Sequence, residues 1–170
     1  MERFQEELSA GRQQLRTADH LVSITFPLVK DNKLLLAALE SLSAAAISLM
    51  ASLLHYEEAF KRIPHFKEDH DSMIYWFKSK CVPRYGLSND YSAITAELKL
   101  LHDEHMASAI EFSRKDCLVI CSDTYRFRKI TPLQIKSYVA VVKRMLSDVE
   151  EVVSRYEGVF GRGPRGIKAC

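Results

Sequence analysis

The chain has 170 residues, 47% hydrophobic and 27% charged, which is enough for one compact domain with a continuous core. Its 24 Lys+Arg stand against 22 Asp+Glu, a formal +2, so the strongly basic balance of a dedicated nucleic-acid binder is excluded and any anionic partner must meet a local patch. Four dispersed cysteines, Cys81, Cys117, Cys121 and Cys170, and a charged opening without a secretory apolar core point to a reducing, cytoplasmic setting with free thiols.

The first helix is expected from about Arg3 to Ile24. Phe4, Leu8, Gly11, Leu15, Ala18, Val22 and Thr25 follow a helical period, and Pro27 is expected to end it. Asp31 can cap a second helix, in which Leu35, Leu39, Leu42, Ala46, Leu49, Leu53, Tyr56 and Phe60 alternate spacings of four and three and keep one seam toward a partner. A second stripe on it, Ser41, Ala45, Ser48 and Ser52, is small throughout and suits either a central helix touched on two sides or a helix at a dimer interface.

Leu34 to Leu54 is long enough to span a bilayer. Four serines, many alanines and no aromatic girdle upstream favour a buried bundle helix instead, and no membrane partner is expected. This helix should end near Arg62, before Pro64.

A third helix is expected over Phe66 to Cys81 with Phe66, Met73, Ile74 and Phe77 inward, closed by a turn at Pro83 and Gly86. A fourth runs from about Asn89 to Ile110, with Tyr91, Ile94, Leu98, Leu101, His105 and Ala109 on one side. Thr131-Pro132-Leu133-Gln134 announces the last helix as a capping box, followed by Ile135, Tyr138, Val142, Met145, Val149, Val152, Tyr156 and Phe160 at helical spacing.

Between the fourth and fifth helices, CLVIC is a short apolar run and TYRFRKI alternates aromatic with basic residues, so a short extended or β-hairpin insertion is expected. The fold class is therefore all-α: a bundle of about five helices over 1–160, followed by a flexible basic tail, 161–170, with Arg162, Arg165 and Lys168.

The pattern RTADHLVSITFPLVKDNKLLLAALESLSAAAISLMASLLHYEEAF, two helices joined by a short link with Glu40 in the second, resembles the opening helix pair of HEPN domains (higher eukaryotes and prokaryotes nucleotide-binding). That resemblance implies a compact helical bundle that often dimerises, found in RNA-cleaving toxins, defence systems and RNA-processing proteins, with some members non-catalytic. Glu40 matches the polar position of the second helix in such domains, beside the bland reading of a solvent-facing glutamate. The catalytic R-x4-6-H motif is absent: Arg16 and His20 are separated by three residues, Arg62 and His65 by two, Arg62 and His70 by seven, and no histidine follows His105.

The remaining candidates are weighed by their chemistry. His102 and His105, three apart on a helix, are the most metal-like pair, though a site needs further ligands that the spacing does not supply, and no cofactor is expected. Arg114, Lys115, Arg126, Arg128 and Lys129 form a basic arm that could hold RNA or nucleotide phosphates, with Tyr125 or Phe127 available for stacking. The period-two alternation is taken to turn Tyr125 and Phe127 toward the bundle and leave Arg126, Arg128 and Lys129 outward. No catalytic set can be named. The leading expectation is a HEPN-like, non-enzymatic module, homodimeric in solution, that binds RNA, nucleotide or a protein partner through this arm. Assembly through the long Leu/Ala/Ser helix and metal-dependent catalysis by His102 and His105 stand as alternatives.

Overall fold

The computed structural model describes residues 2–160 except 109, 116, 123 and 125; the basic tail over 161–170 and the side chains of Tyr125, Tyr156 and Phe160 lie outside the described set. Among the described residues there are five helices and one three-stranded antiparallel sheet, which sits between the fourth and fifth helices.

Helix α1 runs Arg3–His20, widens into a π-turn over Leu21–Thr25 and closes with a further α-turn, Phe26–Val29. Pro27 does not end it, contrary to expectation. In the π-turn the Phe26 N–H reaches back five residues to the Leu21 carbonyl, and the widened turn accommodates a proline ring that would otherwise crowd the carbonyl four residues back. The extra residue also moves the inward position from the expected Thr25 to Phe26, which is buried. Lys30, in left-handed conformation at φ 54°, ends the helix.

Helix α2, Lys33–Ala59, is the spine. Asp31 starts it as expected, its Oδ1 accepting the Lys33 N–H at 2.9 Å. The end comes earlier than Arg62 through a Schellman motif: the Lys61 N–H bonds the Glu58 carbonyl, the Arg62 N–H bonds that of Glu57, and Lys61 sits at φ 55°. Every expected seam residue from Leu35 to Tyr56 is buried, packed by α1 and by the fourth and fifth helices. The apolarity of this helix is that of a core element.

The small-residue stripe is used within the chain. Gly11 of α1 lies so close to α2 that an added Cβ would stand 2.9 Å from a Leu49 methyl and 3.3 Å from the Ala45 carbonyl oxygen. Ser52, fully buried, donates its hydroxyl to the Phe4 carbonyl at 2.6 Å. Ala45 and Ser52 are thus taken up by α1, the central-helix use of the stripe, while Ser41 and Ser48 are half-buried.

Helix α3 repeats the device of α1: His70–Trp76, a π-turn over Phe77–Cys81, and Val82–Tyr85 with Pro83 inside. It begins later than expected, where the Asp69 carboxylate accepts the Ser72 N–H at 2.9 Å, and Gly86 at φ 62° closes it. Helix α4, Asp90–Ala107, buries Tyr91, Ile94, Leu98 and Leu101. It stops short of Ile110, which opens a strand.

The sheet is a meander of β1 (Ile110–Arg114), β2 (Cys117–Cys121) and β3 (Phe127–Ile130), one strand more than a hairpin. Leu118 pairs with Ile130 and Ile120 with Arg128, and Leu118, Ile120 and Ile130 belong to the bundle core. Val119–Lys129 and Cys121–Phe127 are the adjacent pairs, so they face the other way. Phe127 is thus outward, 67% exposed, and Arg128 inward, the reverse of the expected alternation. The buried asparagine Asn32 ties the turn between β1 and β2 to the start of α2, donating from Nδ2 to the carbonyls of Cys117 at 3.1 Å and Lys115 at 3.5 Å.

Helix α5, Pro132–Phe160, starts as read: the Thr131 hydroxyl accepts the Gln134 N–H at 3.1 Å. The reciprocal half of the capping box, Thr131 N–H to Gln134 Oε1, is not made among the described residues, and Gln134 Nε2 donates to the Tyr138 hydroxyl. Arg12–Glu150 and Lys143–Asp19 ion pairs set α5 antiparallel to α1.

Candidate nucleic-acid interface

The outer face of the sheet and the first turns of α5 enclose a groove of about 820 Å³. Its floor is Cys117 and Val119, buried side chains that stand apart from the bundle core. Arg114, Lys115, Lys129 and Lys136 rim it, and Thr131, Pro132 and Leu133 close one end. All four cations are exposed, and none has an ion-pair partner among the described residues.

Antiparallel pairing explains why they meet. Arg114 lies opposite Cys117 at one end of the β1–β2 pair, Lys129 lies opposite Val119 across the β2–β3 pair, and residues directly opposite project to the same side. Lys115, at φ 53°, makes the tight turn between β1 and β2. The Cys117 thiol donates to the Arg114 carbonyl at 2.9 Å, holding the strand end over the floor. Lys136 comes from the second turn of α5, four residues beyond Pro132, on the turn that looks over the sheet. Phe127 stands two residues from Lys129 on the same strand face, roughly 7 Å along β3.

Of the five basic residues expected to act together, Arg114, Lys115 and Lys129 converge and Arg126 and Arg128 do not. Arg126 sits at the β2–β3 connection, its backbone N–H bonded to the Ser122 hydroxyl, and borders a separate small cavity of about 150 Å³. Arg128 lies beneath the sheet, where Nε and Nη2 bind Glu104 at 2.8 and 3.3 Å and Nη1 binds Glu97 at 3.2 Å. The Glu104 hydrogen bonds hold its guanidinium even further toward the charged form. An arginine neutralised by two carboxylates of α4 is a structural clamp.

Lys136 was not among the expected residues. Its signal was present as a basic residue one turn inside a well-marked helix start, but only the groove shows that this turn faces the sheet.

The histidine pair separates as well. His105 binds Glu111 of β1 through Nδ1, and its Nε2 lies 3.8 Å from Glu40 of α2, which is exposed, so Glu40 is a solvent-side partner for that imidazole. His102 does not join them, Glu104 is committed to Arg128, and among the described residues no three metal-ligating side chains converge.

A second polar constellation, absent from the sequence expectations, lies at the far end of α2. Glu57 is fully buried, yet it accepts hydrogen bonds from the Tyr85 hydroxyl and from Arg62 at 3.1 Å, and pairs with Arg84 at 3.0 Å. Burial and the hydrogen bond to Glu57 push the Tyr85 hydroxyl well above its usual range. Burial, then the Glu57 charge, push the nearby Cys81 thiol up to about 12, which leaves it inert. Arg62 also covers the Phe60 ring at 4.9 Å. Both hydrogen bonds fall on Oε1, while buried Oε2 accepts none among the described residues and lies 3.0 Å from Arg84 Nε; the cluster fastens the end of α3 to α2.

No protein-family model, curated protein or solved structure matches the chain.

Proposed function

We propose that the chain is a non-enzymatic module, HEPN-like in its opening helix pair, that binds single-stranded RNA on the outer face of its sheet. The observation that carries this reading is the convergence of Arg114, Lys115, Lys129 and Lys136 on one groove, none of them ion-paired among the described residues, in a chain whose overall charge is only +2. Unpaired cations attract a phosphate backbone and displace its counterions. An apolar floor and an outward aromatic, Phe127, beside those cations offer what an unstacked base requires: a flat surface next to phosphate contacts. The N-terminal end of α5, opening at the groove, adds a favourable dipole of the same sign.

The test is fluorescence anisotropy with a labelled single-stranded oligoribonucleotide. Binding is expected to weaken steeply between about 50 and about 200 mM salt. The double variant Lys129→Ala/Lys136→Ala should lose most of it, whereas Arg126→Ala should change little. Undetectable binding at the lower salt, or a double variant that binds like the parent, would overturn the reading.

A further inference from the structure

Among the large apolar residues exposed on the described surface, Leu28 and Val29 stand side by side at the end of α1. Leu28 is 81% exposed, Leu133 78% and Val29 62%, values at which a side chain touches little of its own protein. Leu28 and Val29 form the last turn of α1, and the left-handed Lys30 cuts the helix off directly after them. Leu133 opens α5, and the antiparallel register set by Arg12–Glu150 and Lys143–Asp19 carries the end of α1 toward the start of α5. Asn32 joins the α1–α2 link to the turn that bears Lys115.

Among the described residues the charge at this end has one dominant sign. Lys30 and Lys33 flank the Leu28-Val29 tip, and Lys115, Arg114 and Lys136 lie beyond the Asn32 contact. None of the five has an ion-pair partner among the described residues. The one described acid in the link, Asp31, spends a carboxylate oxygen on the Lys33 N–H.

We infer that this end docks on an anionic lipid surface, with Leu28 and Val29 entering the interface and Lys30 and Lys33 resting on the headgroups. Protruding aliphatic side chains followed directly by lysines fit a bilayer, whose acyl boundary takes the leucine and whose negative potential holds the cations. A second copy of the chain fits poorly, because symmetric pairing would bring Lys30 and Lys33 of the two copies together. RNA offers the aliphatic tip no partner. This inference goes beyond the RNA reading; the residues that test it, Leu28, Val29, Lys30 and Lys33, do not line the groove, so either can fail alone.

The experiment is co-sedimentation of the full chain with phosphatidylcholine vesicles, with and without about one-third phosphatidylserine, alongside RNA anisotropy. Binding to the anionic vesicles only is expected. Leu28→Ser/Val29→Ser should lower that partition by at least about tenfold, since the interfacial burial is lost. Lys30→Ser/Lys33→Ser should lower it about twentyfold. Both leave RNA binding and the thermal midpoint unchanged, because these side chains are exposed. Absence of sedimentation with anionic vesicles, equal binding to neutral ones, or an aliphatic variant that sediments like the parent overturns the inference. Loss of RNA binding in the aliphatic variant, or a lipid-free dimer that it abolishes, overturns it too, by assigning the tip to RNA or to a second copy.

Discussion

Arg128 of β3 holds Glu104 of α4 with two of its nitrogens, Nε to Oε2 at 2.8 Å and Nη2 to Oε1 at 3.3 Å. The pair fixes which face of the sheet looks inward. Because Arg128 is drawn under the sheet, Lys129 is turned outward beside Val119, and the groove acquires its cation. A structural arginine thus presents a functional lysine, and the two should separate cleanly on mutation.

Arg128→Ala is expected to cost about 1 kcal/mol of stability, the modest figure suited to a bidentate pair that water still reaches. Urea denaturation measures it. Lys129→Ala, by contrast, should leave the denaturation midpoint where it was. If the arginine variant matched the parent in stability, the clamp would not be holding the sheet.

Each groove lysine that contacts a phosphate should contribute to the salt dependence of RNA binding. Removing Lys129 or Lys136 singly is expected to lower the slope of log K against log salt by about 1. Phe127→Ala should act differently, weakening affinity by about 1 to 3 kcal/mol with the slope preserved, as loss of base stacking requires. Titrations at several salt concentrations separate the two kinds of loss.

Gly11 brings α1 so close to α2 that an added Cβ would stand 2.9 Å from a Leu49 methyl. Valine there drives two extra methyl groups against buried Leu49 and the Ala45 carbonyl, and about 2 kcal/mol of destabilisation is expected. Alanine should come out near neutral, since its better helix propensity, about 1 kcal/mol, offsets the shift of a leucine side-chain end. Chemical denaturation of both variants checks the contrast, and a valine variant as stable as the parent would contradict the close crossing.

Glu58 supplies a pH dependence. Burial alone raises its carboxyl, but hydrogen bonds from His65 at 2.7 Å and His55 at 3.1 Å, with their charges, bring it below its usual 4.5. On acidification the unfolded chain takes up the proton first, so this contribution is intact above pH 4.5 and is lost as pH falls through the lower folded value. Glu58→Gln should therefore show a flatter decline in urea midpoint below pH 4.5. Parallel profiles for the two proteins would remove Glu58 from the acid response.

Much of the scaffold was legible in the residues. The periodic leucines of α2 and the valines of α5 are buried as their spacing predicts, because a 3.6-residue period marks a face regardless of what packs on it. The start of α5 was legible for a local reason, since Thr131 caps a turn built from its own neighbours. Pro27 and Pro83 misled, because a proline tells only that one hydrogen bond is missing. Whether the chain stops or widens into a π-turn depends on what Phe26 and Phe77 gain by burial.

By itself the sequence determined five amphipathic helices, a basic and aromatic stretch with strand periodicity, and the lack of an R-x4-6-H motif. Tertiary structure decided which side of that stretch is the outside. Alternation defines two faces of a strand but not which is buried, and here Glu97 and Glu104, some two dozen residues or more upstream, selected Arg128 for the inner one. The same holds for Lys136, which joins the groove only because α5 starts beside the sheet, and for Glu57, an ordinary helical glutamate until Arg62, Arg84 and Tyr85 close around it. Faces follow from local periodicity; countercharges come from distant residues, and only the fold brings them together.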